Sequence, residues 1–210
     1  MSLVIYGTAA SRAFRVLWAA EEIGIAYDRK PWHFKGPEIH SPEFLAINPN
    51  AAIPAITDDG VALFESLAIN LYLARKHAKL WASTIADEGR IYQWTLYAAS
   101  EVEPAMTQWS GHTSYLPEAE RKPDLAVAAA SRLEKRFAVL EGALSRSDAL
   151  VGNAFGIADL NLASVLFRAP AFGLDRWPAL KAWHARCYAR PKARAMVALL
   201  VFIRVALIPG

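Results

Sequence analysis

One cysteine, Cys187, is all that 210 residues contain, so no disulfide can form within the chain and a reducing compartment is the expected setting. A large excess of charge of one sign is missing as well. The formal net charge is +3, and the basic residues are scattered as Arg12/Arg15, Arg121/Lys122, Arg132/Lys135/Arg136 and Arg190/Lys192/Arg194. The last three sets fall at helical spacings and read as solvated faces. No aromatic-basic stripe accompanies them, so a nucleic-acid interface is not expected. The five histidines (33, 40, 77, 112 and 184) lack ligand spacing and no glycine-rich phosphate loop occurs, which leaves no metal or nucleotide site. Long apolar runs are also missing. AMVALLVFIRVALIP near the C-terminus is too short for a membrane span and Arg204 interrupts it, so a buried terminal helix is expected. MSLVIYGTAASR at the N-terminus has no charged leader, and its apolar run is too short for a secretion signal. These absences predict a soluble, cytoplasmic protein.

What is present divides into two grammars. In the first half, LVIY (3–6) reads as a strand ended by Gly7, and Phe14, Leu17, Trp18 and Ala20 suit a helix over 12–23 stopped by Gly24. A second strand is expected near 27–32. IPAIT and VALF flank Asp58-Asp59-Gly60, a strong hairpin signal, and SLAINLYLARKH follows as a helix. Pro54 stands at the opening of a strand, where a residue without an N–H belongs only at an edge, a first position or a turn. The second half holds no convincing strand. Helices are expected at about 87–112, 123–145, 158–168, 177–190 and 192–207, with a kink at Pro104. The reading is a small α/β domain (1–77, β-α-β then β-β-α, mixed sheet), a linker (78–86) and an all-helical domain (87–210).

Three stretches carry a resemblance: VLWAAEEIGIAYD, NPNAAIPAITDDGVALFESLAINLYLA and LKAWHARCYARP. With the helical pattern between them, the chain resembles the cytosolic glutathione S-transferases, bacterial-type and with a serine-like turn, over nearly its whole length. The resemblance implies a thioredoxin-like N-terminal domain and a helical-bundle C-terminal domain. It also implies a cis Ile53–Pro54 bond, with the Ile53 backbone pairing with the cysteinyl backbone of glutathione. Glu65 and Ser66 would hold the γ-glutamyl end. Read from the residues alone, Pro54 suits an edge strand with an ordinary trans bond, and Ser66 is simply a good cap for the helix that follows. A helix N-terminus is also a ready seat for a carboxylate.

Glutathione's thiol is mostly protonated at neutral pH and reacts as its thiolate, so a hydroxyl donor near the first helix is needed. YGTAASRAFR offers Tyr6, Thr8 and Ser11. The serine-type pattern favours Ser11, with Thr8 and Tyr6 as alternatives and an ordinary N-cap as the plain reading of Ser11. Ala10 occupies the position that carries cysteine in other classes. Lys35 and His40 are the polar candidates for the glycyl carboxylate, each equally readable as a solvated surface residue.

For the electrophile, the resemblance implies a site between the domains, lined by the first helix of the helical half. Trp94, Tyr97 and Glu101 share one face there, although core packing explains such a stripe at least as well. Two departures from the family pattern stand out. Ala51 and Ala52 replace a lysine or glutamine before the Ile-Pro pair, and Gly156 replaces a Ser or Thr cap three residues before a structural Asp159. The expected function is conjugation of glutathione, a co-substrate, to small apolar electrophiles in detoxification, by a homodimer without metal. A glutathione-dependent isomerase or dehalogenase, or a non-catalytic glutathione-binding module, is the alternative.

Overall fold

The computed structural model describes residues 2–206, with side chains described through residue 200. Two compact units make up the chain, one of residues 1–81 together with those from 189 onward, the other of residues 82–188. The helical domain expected from 87 to 210 therefore does not keep its last segment, which belongs to the first unit. Residues 207–210, reached by the expected terminal helix, lie outside the described residues.

The first unit opens with strand β1 (Leu3–Tyr6), helix α1 (Ala13–Ile23) and strand β2 (Tyr27–Lys30). The stretch that follows β2 contains a 3₁₀ turn (Pro37–His40) and one short helix, α2 (Pro42–Leu45), whose N-cap Ser41 Oγ accepts from the Phe44 N–H at 3.2 Å. Strands β3 (Ala55–Asp58) and β4 (Val61–Phe64) and helix α3 (Ser66–Lys76) follow. The sheet order is β2-β1-β3-β4, with β1 parallel to β2 and antiparallel to β3, and β3 antiparallel to β4. This is the thioredoxin-like arrangement. The β3–β4 hairpin turns on Asp59 (φ 49°) and Gly60 (φ 87°), both left-handed as a tight two-residue hairpin demands.

Period-two alternation sorts the sheet faces. Leu3, Ile5 and Ile56 are buried together with Leu17, Ala20, Ile69 and Leu73 of the helices. On the other face Tyr6 packs with Trp32, Ile39, Phe44, Ile47, Ile53 and Ala55. Helix α1 is buried on almost every side, from Ala13 to Ala20 without a break.

That continuous burial has a long-range cause. Helix α10 (Pro191–Ala206, numbered after the elements below) returns to pack on α1. The Arg190 guanidinium donates to both Glu22 carboxylate oxygens at 2.9 and 2.7 Å, and Trp18 Nε1 donates to the same carboxylate at 3.1 Å. Lys192 Nζ reaches Glu21 at 2.9 Å and holds its carboxyl below the usual range. Glu22→Ala removes the acceptor that Trp18 and Arg190 share. Because Arg190 is partly exposed, the expected cost is about 2 kcal/mol, less than for a fully buried pair. A lowered melting temperature with faster proteolysis near residue 190 would bear this out; an unchanged cleavage rate there would refute it.

The second unit is helical: α4 (Ile85–Tyr97), α5 (Glu103–Ser110), α6 (Pro123–Leu144), α7 (Ile157–Val165), α8 (Ala169–Phe172) and α9 (Pro178–Ala189). Thr84, inside the expected linker, caps α4 by accepting from the Asp87 N–H at 3.1 Å. Pro104 lies just after a π turn at Ala98–Val102, so the helix changes register where proline cannot donate. The N-terminus of α9 is capped from a distance, by Glu141 accepting from the Ala179 and Leu180 N–H groups at 3.1 and 2.9 Å. Among the described residues no helix is long and apolar enough to cross a membrane.

Candidate functional site

The candidate site lies within the first unit, where the end of β1, the start of α1, the loop before β3 and the start of α3 converge. Gly7 makes the convergence possible. Its φ is +134°, and a Cβ there would lie 2.8 Å from Ala13 Cβ and 3.2 Å from Ile53 Cβ. Any side chain would push apart the helix start and the Ile53 loop.

The Ile53–Pro54 peptide bond is cis. Asn48 builds the loop before it. Its buried side-chain amide donates to the Ala52 carbonyl at 2.7 Å, while its Oδ1 accepts from the Asn50 N–H at 3.1 Å. The Ala51–Ala52 departure is thus accommodated by backbone, with Ala51 at φ 49°. Among the described residues the Ile53 backbone has no hydrogen-bond partner. An unused N–H and C=O on a partly buried residue make an edge onto which an extended peptide can pair.

Helix α3 begins at Ser66, not Leu67, with Glu65 in the cap position at φ 69° and no side chain capping the helix. The reading of Ser66 as the helix cap is therefore corrected. Its hydroxyl, on a residue only 5 % exposed, instead accepts from Arg15 Nη1 at 3.2 Å. A left-handed non-glycine residue costs about 1–3 kcal/mol and concentrates at binding sites. Neither α1 nor α3 has an acidic residue in its first turn, and the acidic residue nearest the α3 terminus is Glu65 at its N-cap.

The three candidate hydroxyls separate clearly. Ser11 is half-buried just ahead of α1; its Oγ accepts from the Ala13 N–H at 3.1 Å and donates to the Thr8 carbonyl at 2.7 Å. Thr8 is buried as the base of that turn, with its Oγ1 accepting from the Ala10 N–H at 3.4 Å. Tyr6 has its ring held against Trp32 and Phe44, at centroid distances of 5.2 and 5.6 Å, on the sheet face opposite Leu3 and Ile5. Lys35 and His40 are exposed, and no recorded hydrogen bond joins either side chain to Ile53, Ser11 or Ser66.

In the second unit, Trp94 is buried and meets Tyr97 edge-on at 5.6 Å. The Tyr97 hydroxyl donates to the Arg136 carbonyl at 3.3 Å, and Glu101 is ion-paired with Arg136. Tyr97 and Glu101 thus tie α4 and the following π turn to α6, with Trp94 buried against Tyr97, which is the packing reading of the stripe. Asp159 has the structural role expected of it, accepting from Gly156 N–H, Leu150 N–H and Trp183 Nε1 at 2.9, 2.9 and 2.8 Å. Among the described residues no group of His, Cys, Asp or Glu is placed to hold a metal ion.

Arg15 and Asn48 are the site residues that sequence reasoning missed. A signal existed for each: a lone arginine inside an apolar helical stretch, and an Asn-Pro-Asn turn whose first side chain can bond its own backbone.

Comparison with known proteins agrees with this geometry. Residues 1–75 match the family profile described as glutathione S-transferase, N-terminal domain, and residues 103–191 match its C-terminal domain counterpart. The chain is 32% identical over 205 residues to glutathione S-transferase 1 of Zea mays, covering 93% of this chain and 96% of that protein. Among solved structures, glutathione S-transferase-I bound with lactoylglutathione superposes with a TM-score of 0.85 at 30% identity, covering 95% of this chain and 100% of that one. A theta class enzyme from the citrus canker pathogen Xanthomonas axonopodis pv. citri, with glutathione bound, superposes at 0.84 and 29% identity, covering 94% and 98%. Matched by both domain profiles and by a relative 32% identical along almost its whole length, the chain belongs to the glutathione S-transferase family.

Proposed function

We propose that the protein binds glutathione, holds its sulfur as the thiolate and transfers it to small apolar electrophiles. The observation that carries this reading is the unpaired Ile53 backbone, in the same unit as an uncapped helix N-terminus whose first hydroxyl is buried. The cysteinyl backbone would pair with Ile53. The γ-glutamyl carboxylate would sit at the start of α3 on Ser66, with Glu65 near the α-amino group. Ser11 would donate to the sulfur, assisted by the α1 dipole. The thiolate then attacks the electrophilic carbon, a C–S bond forms and, with an aryl halide, halide leaves. The thiol proton passes to solvent.

A reducing, cytoplasmic compartment is the setting we propose, since glutathione is kept there as its thiol. We also propose a homodimer. Edge strand β4 leaves Val61 and Phe64 41% and 38% exposed, and α4 exposes Ile85 and Leu96.

Titration calorimetry with glutathione and turnover with an activated aryl halide test the reading together. Saturable binding with turnover is the expected result. Absence of binding would refute the assignment. Binding without turnover across a broad electrophile panel would favour the interaction module, and turnover confined to isomerisation or dehalogenation would move the reaction class.

A further inference from the structure

Arg15 is a buried arginine, 8% exposed, in the first turn of α1. Its guanidinium reaches across to α3 and donates to the Ser66 hydroxyl at 3.2 Å. A further tie between the two helices also involves this residue, since Asn70 Nδ2 donates to the Arg15 carbonyl at 3.4 Å. Arg15 therefore engages α3 through both its side chain and its backbone, one turn along α1 from Ser11.

The chemistry of this contact has a direction. A guanidinium only donates, whereas a serine hydroxyl has one proton and two lone pairs. With Arg15 on a lone pair, the Ser66 proton must point elsewhere, and no acceptor for it is recorded among the described residues. A carboxylate only accepts. The arrangement leaves Ser66 as a dedicated donor at the start of α3, where the helix dipole also favours an anion.

We infer that Arg15 is a positioning residue for glutathione: it fixes the rotamer and proton direction of Ser66, so that the hydroxyl meets the γ-glutamyl carboxylate already aimed. This deepens the proposed function and rests on it. Arg15 touches no ligand atom itself in this account. Its effect runs through Ser66, and it belongs to glutathione binding more than to the chemical step.

A double-mutant cycle of Arg15→Met and Ser66→Ala, with steady-state kinetics in glutathione and melting temperatures for every variant, tests this. R15M is expected to raise KM for glutathione about tenfold, the loss of one well-aimed bond to a charged group, with kcat changed less than about twofold. In the S66A background the same substitution should change KM less than about twofold, because the group it acts through is gone. Arg15→Lys keeps the charge in the buried slot but loses the planar fork, so an intermediate KM is expected, again only when Ser66 is present. R15K carries the test if R15M does not accumulate as folded protein. Equal KM increases from an Arg15 substitution with and without Ser66 would overturn the inference, as would an unchanged KM alongside a lowered melting temperature. If the unaltered protein fails to bind glutathione in calorimetry, the proposed function falls and this inference with it. Binding by the unaltered protein with no KM effect of Arg15 removes the inference alone.

Discussion

Ser11→Ala is expected to lower kcat for aryl-halide conjugation about a hundredfold, the scale measured when one preorganised donor to a developing anion is removed. The argument rests on where Ser11 stands. It is the half-buried hydroxyl just ahead of α1, adjoining a helix terminus with no acidic residue in its first turn. Its hydroxyl donates to the Thr8 carbonyl at 2.7 Å, so in the proposed reaction it must turn to donate to the sulfur instead. Giving up that bond costs about 1 kcal/mol, less than a charge-assisted bond to a thiolate returns.

Stability provides the control. Ser11 also accepts from the Ala13 N–H, so S11A should cost about 1 kcal/mol as a lost helix cap, a few degrees of melting temperature. Ser11→Thr, which keeps the hydroxyl, should recover most of the turnover. Thr8→Val keeps the turn's carbonyl and removes only a buried hydroxyl, so its turnover should stay within about threefold of the unaltered protein. A hundredfold loss in T8V with little loss in S11A would transfer the role to Thr8.

Asp159→Ala should give the largest loss of stability. Its fully buried carboxylate accepts three N–H groups, two from backbone and one from Trp183. Each donor left without a partner costs about 1–3 kcal/mol, so the total should exceed about 3 kcal/mol. For a chain of this size that lowers the melting temperature by roughly 10 °C. Specific activity of the fraction that remains folded should be unchanged at low temperature. Retained melting temperature with lost turnover would show the residue to be something other than structural.

The pH dependence of Asp159 has a definite sign. Burial raises its pKa against the opposing pull of its three hydrogen-bond donors. A carboxyl raised in the folded state favours the fold fully below its unfolded value of about 3.9, and that contribution is lost as pH rises through the folded value. Acid unfolding of the second unit should therefore not originate at Asp159. His184 has the opposite sign. Burial lowers its pKa although its ring contacts the Leu166 carbonyl at 3.0 Å, so its contribution is present above about 6.5 and lost as pH falls through the folded value.

Much of the first unit was legible because its signals are local. Val-Ile-Tyr with a following glycine, Asp-Asp-Gly between apolar runs, and Glu-Ser opening a helix each encode their conformation within a few residues, and β1, the hairpin and α3 appear where those signals stand. Ser66 was found, but its partner was not. The Arg15–Ser66 bond joins residues 51 positions apart, and an arginine inside an apolar helical stretch signals burial without naming the partner it will meet. The aromatic stripe at Trp94 and Tyr97 illustrates the converse difficulty. Helical spacing shows that two rings share a face, while only packing shows that the first is buried and the second bonds α6. The π turn before Pro104 was hidden for the same reason, since proline announces a lost donor without saying how the helix absorbs it.

The clasp between Glu22 and Arg190 bears on the order in which the chain can be completed during synthesis. Glu22 emerges early, yet its partner follows the whole of the second unit, 168 residues later. Domains generally fold as they emerge, N-terminal first. Here the sheet and its two flanking helices can form early, but α1 stays uncovered along the side that α10 later occupies. The first unit to be made is thus the last to be finished.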